Sequence, residues 1–519
     1  MAKTKSGNNR ERVVFNTLFL YLRMIVTIAV GLYASRVVLN VLGESDFGIF
    51  SLVGGVVVVL GFLNSGMLQA SQRFLSYSLG KRDFTNVCKT FWATWYAHVF
   101  LAIAIVVIGE IAGLYVVNYV LSIPADRLGA ANWVFQCSLF TCVASVLSVP
   151  YNSAIIAHER MDFFAYISIL EAVLKLLIIY LLLVVSFDKL VLYAILMLSV
   201  QALVRFIYTI YCKRRFEECN SRKTFDKTIT KDILSFAGWS LVGNFGIVCR
   251  DQVTNILFNV FFQTPVINAA RGIATHVSGI ISTFATNITM AINPQITKNY
   301  SSGNIRECVM LVNMGCRASF YMLTLLIVPF VVNIDYVLGL WLGKVPENTS
   351  LFLYFILAVS LIYSLSQPVT IAIQATGEIK AFQIWIFVLT IVEVALTYAV
   401  LWSTGILVFA LIPSVVVNML SAVVRIVILR RYIAEYDYRQ YFLDVVLRCV
   451  AVFVFSYLMA LLLHSIFGYD GFWLFLVECM SIAVATGIVI FILGLKSQER
   501  RMVTVKLLDR INHLLRNRI

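Results

Sequence analysis

The sequence predicts an all-α integral membrane protein with about fourteen membrane-crossing helices. Three observations carry that prediction. Of 519 residues, 60% are hydrophobic and only 13% are charged, and the mean hydropathy of +0.88 lies far outside the range of soluble globular chains. Apolar runs of the roughly 20 residues needed to cross a hydrocarbon core follow one another almost end to end. The connections between them are short, and their basic residues accumulate on alternate loops.

The elements follow in chain order. The leader MAKTKSGNNRER is basic, and the apolar run behind it, 13–37, is too long for a cleaved signal and lacks a small-residue cleavage site, so it is expected to stay as the first helix. Spans at 48–72, 88–112, 130–153, 163–186 and 190–212 complete a first group of six. The longest hydrophilic connection, KRRFEECNSRKTFDKTITK at 213–231, then reads as a linker. A second six follows at 233–262, 268–296, 307–332, 350–374, 381–403 and 406–429, with two further spans at 441–465 and 470–494. The expected organisation is a lobe at 1–212, a linker at 213–231, a second lobe at 232–440, an added helix pair at 441–494 and a tail at 495–519. In that tail Leu508, Ile511, Leu515 and Ile519 share one face while Arg510, Arg516 and Arg518 lie elsewhere, the pattern of a basic amphipathic helix on a membrane surface.

Lys and Arg mark the cytoplasmic side. With the N-terminus inside, alternate loops hold 31 of the 41 basic residues and the opposite side holds five, Arg36, Arg127, Lys189, Arg271 and Lys344. Both termini are therefore expected in the cytoplasm. The net charge of +14 is explained by a basic face against an anionic leaflet, without nucleic acid. Ten cysteines show no CxxC and no Cys/His spacing, so neither a disulfide framework nor a metal site is indicated.

Three matches at nearly constant offset suggest an internal repeat. VVLNVLG around Asn40 resembles ILFNVFF around Asn259, YSLGKRDFTNV from Tyr77 resembles YSSGNIRECVM from Tyr300, and PYNSAIIAHERMDFF from Pro150 resembles PVTIAIQATGEIKAF from Pro368. An even number of spans per copy gives both copies the same orientation, with a pseudo-two-fold axis along the membrane normal.

Polar residues at helical spacing mark faces turned to protein or water. The first span has Asn16, Arg23, Thr27, Gly31 and Ser35; the second has Asn64, Gln69 and Gln72 beside Arg73; the fourth has Ser138, Thr141, Ser145 and Ser148. The seventh carries two stripes, one of Ser240, Asn244, Asp251, Asn255 and Asn259, the other of Gly243, Gly246, Arg250 and Thr254. The eighth has Thr275, Ser278, Ser282, Thr286 and Thr289, and the tenth Ser360, Ser364 and Gln367. Such stripes are also the usual material of close helix packing, a reading as good as a cavity for the fourth and tenth. Arg250 and Asp251 are harder to assign to packing, since a charge at mid-span costs about 2.5 to 3.5 kcal/mol on the insertion scale. With Arg23 they are expected to make a net positive, hydrated interior. Glu393 stands alone in its span, Glu171 and Lys175 form an i, i+4 pair, and Glu478, Arg205 and Arg317 lie near enough to span ends to snorkel.

The stretch SRVVLNVLGESDFGIFSLVGGVVVVLGFLNSGMLQASQRFLSYSLGKRD from Ser35 to Asp83, with the six-plus-six repeat and the PYNSAIIAHERMDFF segment, resembles the Wzx-type polysaccharide flippases of the multidrug/oligosaccharidyl-lipid/polysaccharide (MOP) exporter superfamily. The resemblance implies two pseudo-symmetric six-helix lobes around a central cavity plus two C-terminal helices, a MATE-like architecture, in a bacterial cytoplasmic membrane. It implies alternating access and a cargo of undecaprenyl-diphosphate-linked oligosaccharide, with a polysaccharide polymerase and glycosyltransferases as partners in surface polysaccharide synthesis. In the related lipid II flippases an Arg-Asp pair lies in the first helix; here Arg23 is followed by Met24 and the pair is in the seventh, so charge character alone carries over.

A diphosphate calls for Arg and sugars call for amides and hydroxyls. The substrate-binding candidates are therefore Arg23, Arg36, Gln72, Arg73, Asn244, Arg250, Asp251, Asn255, Arg271 and Thr286. No cofactor is expected; Asp251, Glu393 or His276 could couple transport to H+ or Na+. An ion-coupled multidrug exporter of the same fold is the alternative, although cation exporters tend to need an acidic group in the first-helix cavity and 13–37 has none. A membrane enzyme is disfavoured, because no extracytoplasmic loop exceeds about 20 residues and no carboxylate pair or phosphate-cradling glycine loop occurs.

Overall fold

The computed structural model describes residues 16–500, apart from 32, 34–36, 39–40, 43–45, 47–48, 51–52, 55–56, 58–62, 122, 185–186, 264, 343–344, 468–470 and 498. Among the described residues every regular element is a helix. Eleven helices are long and apolar enough to cross a membrane, and they coincide in order with the third to seventh and ninth to fourteenth expected spans. The first span appears as α1 (Asn16–Gly31). The second contributes α2 (Leu63–Lys81), its earlier part being only partly described. The eighth is α8 (Pro265–Ser301), which at 37 residues is among the longest, but its Ser, Thr and Asn content keeps it out of the apolar eleven.

The remaining elements are α3 (Phe84–Ile108), α4 (Leu128–Ala157), α5 (Met161–Val184), α6 (Lys189–Arg215), α7 (Lys227–Phe262), α9 (Ile305–Val332), the short α10 (Ile334–Leu342), α11 (Thr349–Thr376), α12 (Lys380–Thr404) and α13 (Leu407–Tyr432). A single turn, α14 (Tyr438–Tyr441), runs through π-helical backbone into α15 (Arg448–Phe467), and α16 (Phe472–Val489) closes the order. Helix starts are set by Asp: Asp83, Asp188 and Asp437 cap α3, α6 and α14 by accepting from backbone N–H groups of the first turn. Pro150, Pro294, Pro329, Pro368 and Pro413 lie inside helices, tolerated in membranes where neighbours satisfy the freed carbonyls.

The chain forms two compact units. One comprises Met1–Phe245, Met290–Cys308 and Gln374–Ile384; the other comprises Gly246–Thr289, Val309–Ile373 and Trp385–Ile519. In the first, α3 to α6 pack around Phe91, Tyr151, Ile155 and Leu182, all nearly inaccessible. In lipid such packing gains nothing from the hydrophobic effect, and dispersion with interhelical hydrogen bonds holds it. The linker is packed onto this unit: Trp92 Nε1 donates to Ser221 Oγ at 3.1 Å, Lys89 pairs with Asp226 at 3.7 Å, and Lys223 stacks over Trp92 and Trp95.

Two clamps hold helix ends in the same unit. Arg73 on α2 donates from Nε to Gln374 O and from Nη2 to Ala375 O, both at 3.1 Å, capping the last turn of α11. Gly377, just beyond, has φ +89°, and a Cβ there would stand 2.6 Å from Arg73 Nη2. At the end of α4, Glu159 has φ +61° and is held by Lys298 Nζ at 2.7 Å and Gln295 Nε2 at 3.2 Å from α8. Pro150 and Pro368, and Glu159 and Gly377, share the offset of 218, so both repeat segments leave their helix through a left-handed residue nine positions after the proline.

In the second unit Val328 of α9, Ala460 of α15 and Ile482 of α16 form a small core. Here two expectations fail. Glu478 does not snorkel: it is fully buried, 2.8 Å from His464 Nδ1 and bonded by Asn333 Nδ2 at 3.1 Å. Arg317 is 5% exposed and paired with Glu499. Each is held by an acid–base partner: Glu478 by His464 of α15, with Asn333 before α10, and Arg317 by Glu499 beyond α16. Glu171 and Lys175, in the first unit, pair at 2.6 Å as their spacing requires.

Candidate functional site

The site is built on α7. At Gly246 this helix approaches α12 so closely that a Cβ would stand 2.8 Å from Thr390 Oγ1 and 2.9 Å from Phe387 Cδ2. One turn further along the same face comes Arg250. Its Nη1 therefore reaches Glu393 Oε2 of α12 at 3.3 Å, while Nε and Nη2 donate to Asp251 Oδ1 at 3.1 and 3.0 Å. Glu393, alone in sequence, is thus paired, with 9% of its side chain exposed against 46% for Asp251.

The second wall comes from the start of α8. Arg271 Nη1 donates to the backbone oxygen of Asp251 at 3.1 Å and to Asn255 Oδ1, and its Nη2 lies 3.7 Å from Asp251 Oδ1. Asn268 Nδ2 donates to Asn255 O at 2.8 Å. Arg271, counted among the charges opposite the cytoplasmic side and named as a candidate for the acidic group of a substrate, lies in the second turn of α8, which begins at Pro265. Together with Phe352 and Phe355 of α11 and Ser414 and Asn418 of α13, these groups enclose a cavity of about 580 Å³ within the second unit.

Its electrostatics differ from the expected net positive interior. Two arginines face two carboxylates, so the formal charge of the described lining is two positive plus two negative, which is zero. Each guanidinium is anchored twice, and the anchors of Arg271 include a backbone oxygen. The cavity offers charged groups of both signs, amides, hydroxyls and aromatic faces. Hydroxyl-rich and amphipathic molecules fit such a set.

The other candidates lie elsewhere. Arg23 is in the first unit, its guanidinium 4.7 Å over the Phe164 ring and its Nε buried without a hydrogen-bond partner. Gln72 and Asn244 are half-buried in that unit, and Arg73 is committed to the end of α11. Arg36 lies outside the described residues. Thr286 is exposed on α8 and bonds back to Ser282 O; exposed His276 stacks near Trp341, with centroids 6.5 Å apart. Neither lines the cavity. The eighth-span stripe divides: Thr275 lines the cavity, while Ser278 and Ser282 meet Ser360 of the tenth, and Thr289 meets Gln367, at 3.0 to 3.4 Å.

Sequence reading missed Asn268, Ser414 and Asn418. A signal existed for the last two, one helical turn apart in the apolar run LIPSVVVNML. Among the described residues no group of His, Cys, Asp and Glu could hold a metal ion.

No protein-family model and no curated protein matches the chain. Solved structures do. An outward-facing multidrug resistance MATE family transporter of the MOP superfamily is 15% identical, with 83% of this chain and 97% of that one covered at a TM-score of 0.69. MATE in its straight conformation is 16% identical, with 82% and 97% covered at 0.67. A MOP superfamily transporter from Pyrococcus furiosus, described as having a binding pocket of reverse polarity that suggests a different function, is 15% identical, with 81% and 96% covered at 0.64. At such identities the shared property is the fold, and this chain has the MATE-like fold of a multi-pass membrane protein.

Proposed function

We propose that the protein is a flippase for a lipid-linked oligosaccharide, carrying a polyprenyl-diphosphate-bound repeat unit across a bacterial cytoplasmic membrane by alternating access, for surface polysaccharide synthesis. The observation that supports this most is the second unit's cavity, where Arg250, Arg271, Asp251 and Glu393 stand beside Asn255, Asn268, Ser414 and Asn418. Carboxylates and amides hydrogen-bond hydroxyls, guanidiniums bind acidic groups, and phenylalanine faces suit the apolar faces of sugar rings. A lipid tail can stay in the bilayer while such a headgroup is held. The basic face and both termini belong on the cytoplasmic side in this reading, and the polymerase and glycosyltransferases of the pathway are its partners.

A second reading, ion-coupled multidrug export, draws on the same cavity: Asp251 and Glu393 next to Phe258, Phe352 and Phe355 would suit an amphipathic cation, and a proton or sodium ion would compete for the carboxylates. Reconstitution separates the two. In proteoliposomes the flippase moves a fluorescent short-chain polyprenyl-diphosphate oligosaccharide between leaflets, measured by quenching with a membrane-impermeant reductant, and does not move ethidium. Ethidium transport without lipid movement would reject the flippase and favour the exporter.

A further inference from the structure

Asp251 stands where a ligand's acidic group would be bound. Its Oδ1 receives Nε and Nη2 of Arg250 at 3.1 and 3.0 Å and lies 3.7 Å from Nη2 of Arg271. The Nε/Nη2 edge of one arginine is thus turned onto a single carboxylate oxygen with a second guanidinium close by, and the same N–H groups can take an oxygen of a carboxylate or phosphate.

We propose that Asp251 is an internal stand-in for an acidic group of the cargo, and that the cavity takes an oxyanion by exchange with the Asp251 carboxylate while Glu393 stays as the fixed counterion. The inference rests on the oligosaccharide reading for the origin of the oxyanion, but on geometry for the exchange. Three observations separate the two carboxylates. Asp251 is 46% exposed toward the cavity and Glu393 is 9% exposed against α7, so only the first can swing into water without leaving an unpaired charge buried. Neither arginine depends on the Asp251 carboxylate for its position: Arg250 keeps Nη1 on Glu393, and Arg271 keeps Nη1 on Asn255 and on the Asp251 backbone oxygen. With Asp251 turned into the cavity water, the N–H groups of Arg250 and the free edge of Arg271 that faced its Oδ1 are open, and one incoming oxyanion can take them. Discrimination follows as well, because a neutral molecule has nothing with which to displace Asp251.

The oxyanion could be the diphosphate linkage or the carboxylate of an acidic sugar, and the test distinguishes them. Binding to the purified full-length protein in detergent is measured by calorimetry with farnesyl diphosphate, a glucuronate-terminated disaccharide and its neutral glucose-terminated counterpart. Asp251→Asn keeps the shape and removes the charge; Asp251→Ser is the second variant should the first misfold, with folding checked by circular dichroism and gel filtration. Expected is a gain of about tenfold or more for at least one acidic probe in either variant, none for the neutral one, and loss of the gain in Asp251→Asn/Arg271→Ala. The probe that gains identifies the source. Folded variants that bind neither acidic probe more tightly than the parent, or that bind the neutral disaccharide more tightly to the same degree, would overturn the exchange. A tenfold gain with no lipid movement in proteoliposomes rejects the flippase and leaves the oxyanion site standing; lipid movement without the gain does the reverse.

Discussion

Arg250 of α7 and Glu393 of α12, 143 positions apart, meet at 3.3 Å inside the second unit. The relationship exists because Gly246 lets the two helices close up one turn earlier. It turns an apparently costly cation into half of a pair.

Removing Glu393 should therefore be expensive. Glu393→Leu leaves Arg250 with Asp251 alone in a largely buried position, and breaking such a pair costs about 3 kcal/mol. A lowered thermal midpoint in detergent is expected, with much of the loss recovered in Glu393→Leu/Arg250→Met. A double variant no more stable than the single one would show that the pair is not the source of the loss.

Gly246→Ala should also destabilise, by about 1 to 3 kcal/mol, as overpacking does. The new methyl meets Thr390 and Phe387 within 3 Å, and α7 can only move off α12. Trimming Thr390 to Ser in the same protein removes a methyl but keeps the hydroxyl in contact, so little rescue is expected. Full rescue by that change in a thermal melt would mean that the contact is softer than its geometry.

Arg73 and Gly377 form one device at the end of α11. Arg73→Ala uncaps the oxygens of Gln374 and Ala375 at a cost of about 1 to 3 kcal/mol. Gly377→Ala combines a left-handed backbone with a Cβ 2.6 Å from the guanidinium, so it should destabilise as much or more. Because both act on one contact, the double variant should lose less than the sum of the two. Additive losses would separate them.

Acid should loosen the start of α6. Burial works against the ionised form of Asp188, but hydrogen bonds from Arg127 and from the backbone of Val191 and Leu190 outweigh it, holding its carboxyl below the ordinary range. Arg127 also pairs with Asp46. A depressed folded value means that this contribution is present above the unfolded carboxylate range of about 3.9 and is lost as pH falls through the lower folded value. Arg127→Ala should therefore lower the thermal midpoint near neutral pH and flatten its fall toward acid, because the folded and unfolded values of Asp188 come closer together; the thermal midpoint across pH 3 to 6 follows both. An unchanged acid profile would remove Arg127 as the cause.

The membrane spans were legible because lipid imposes a length and an apolarity on every crossing helix. That constraint acts locally, so eleven runs read from hydropathy coincide with eleven helices. Helix ends were less legible: α8 starts three residues earlier than its apolar core at 268, so Asn268, at the edge of the expected span, stands a full turn inside the helix. The meaning of polar stripes was the least legible part. Ser278 and Ser360 carry the same signature as Asn255, yet the first two bond to each other and the third holds Arg271.

By itself the sequence determined that the chain is an all-helical membrane protein, how its spans are ordered, and that Arg250 and Asp251 lie together in the seventh of them. All of these follow from local pattern. Only the tertiary structure decided that Glu393 completes the pair, that Arg271 joins it, and that the cavity they line is balanced in charge. Those facts depend on which helix faces lie opposite one another, a property of packing distance and rotation that no single span encodes.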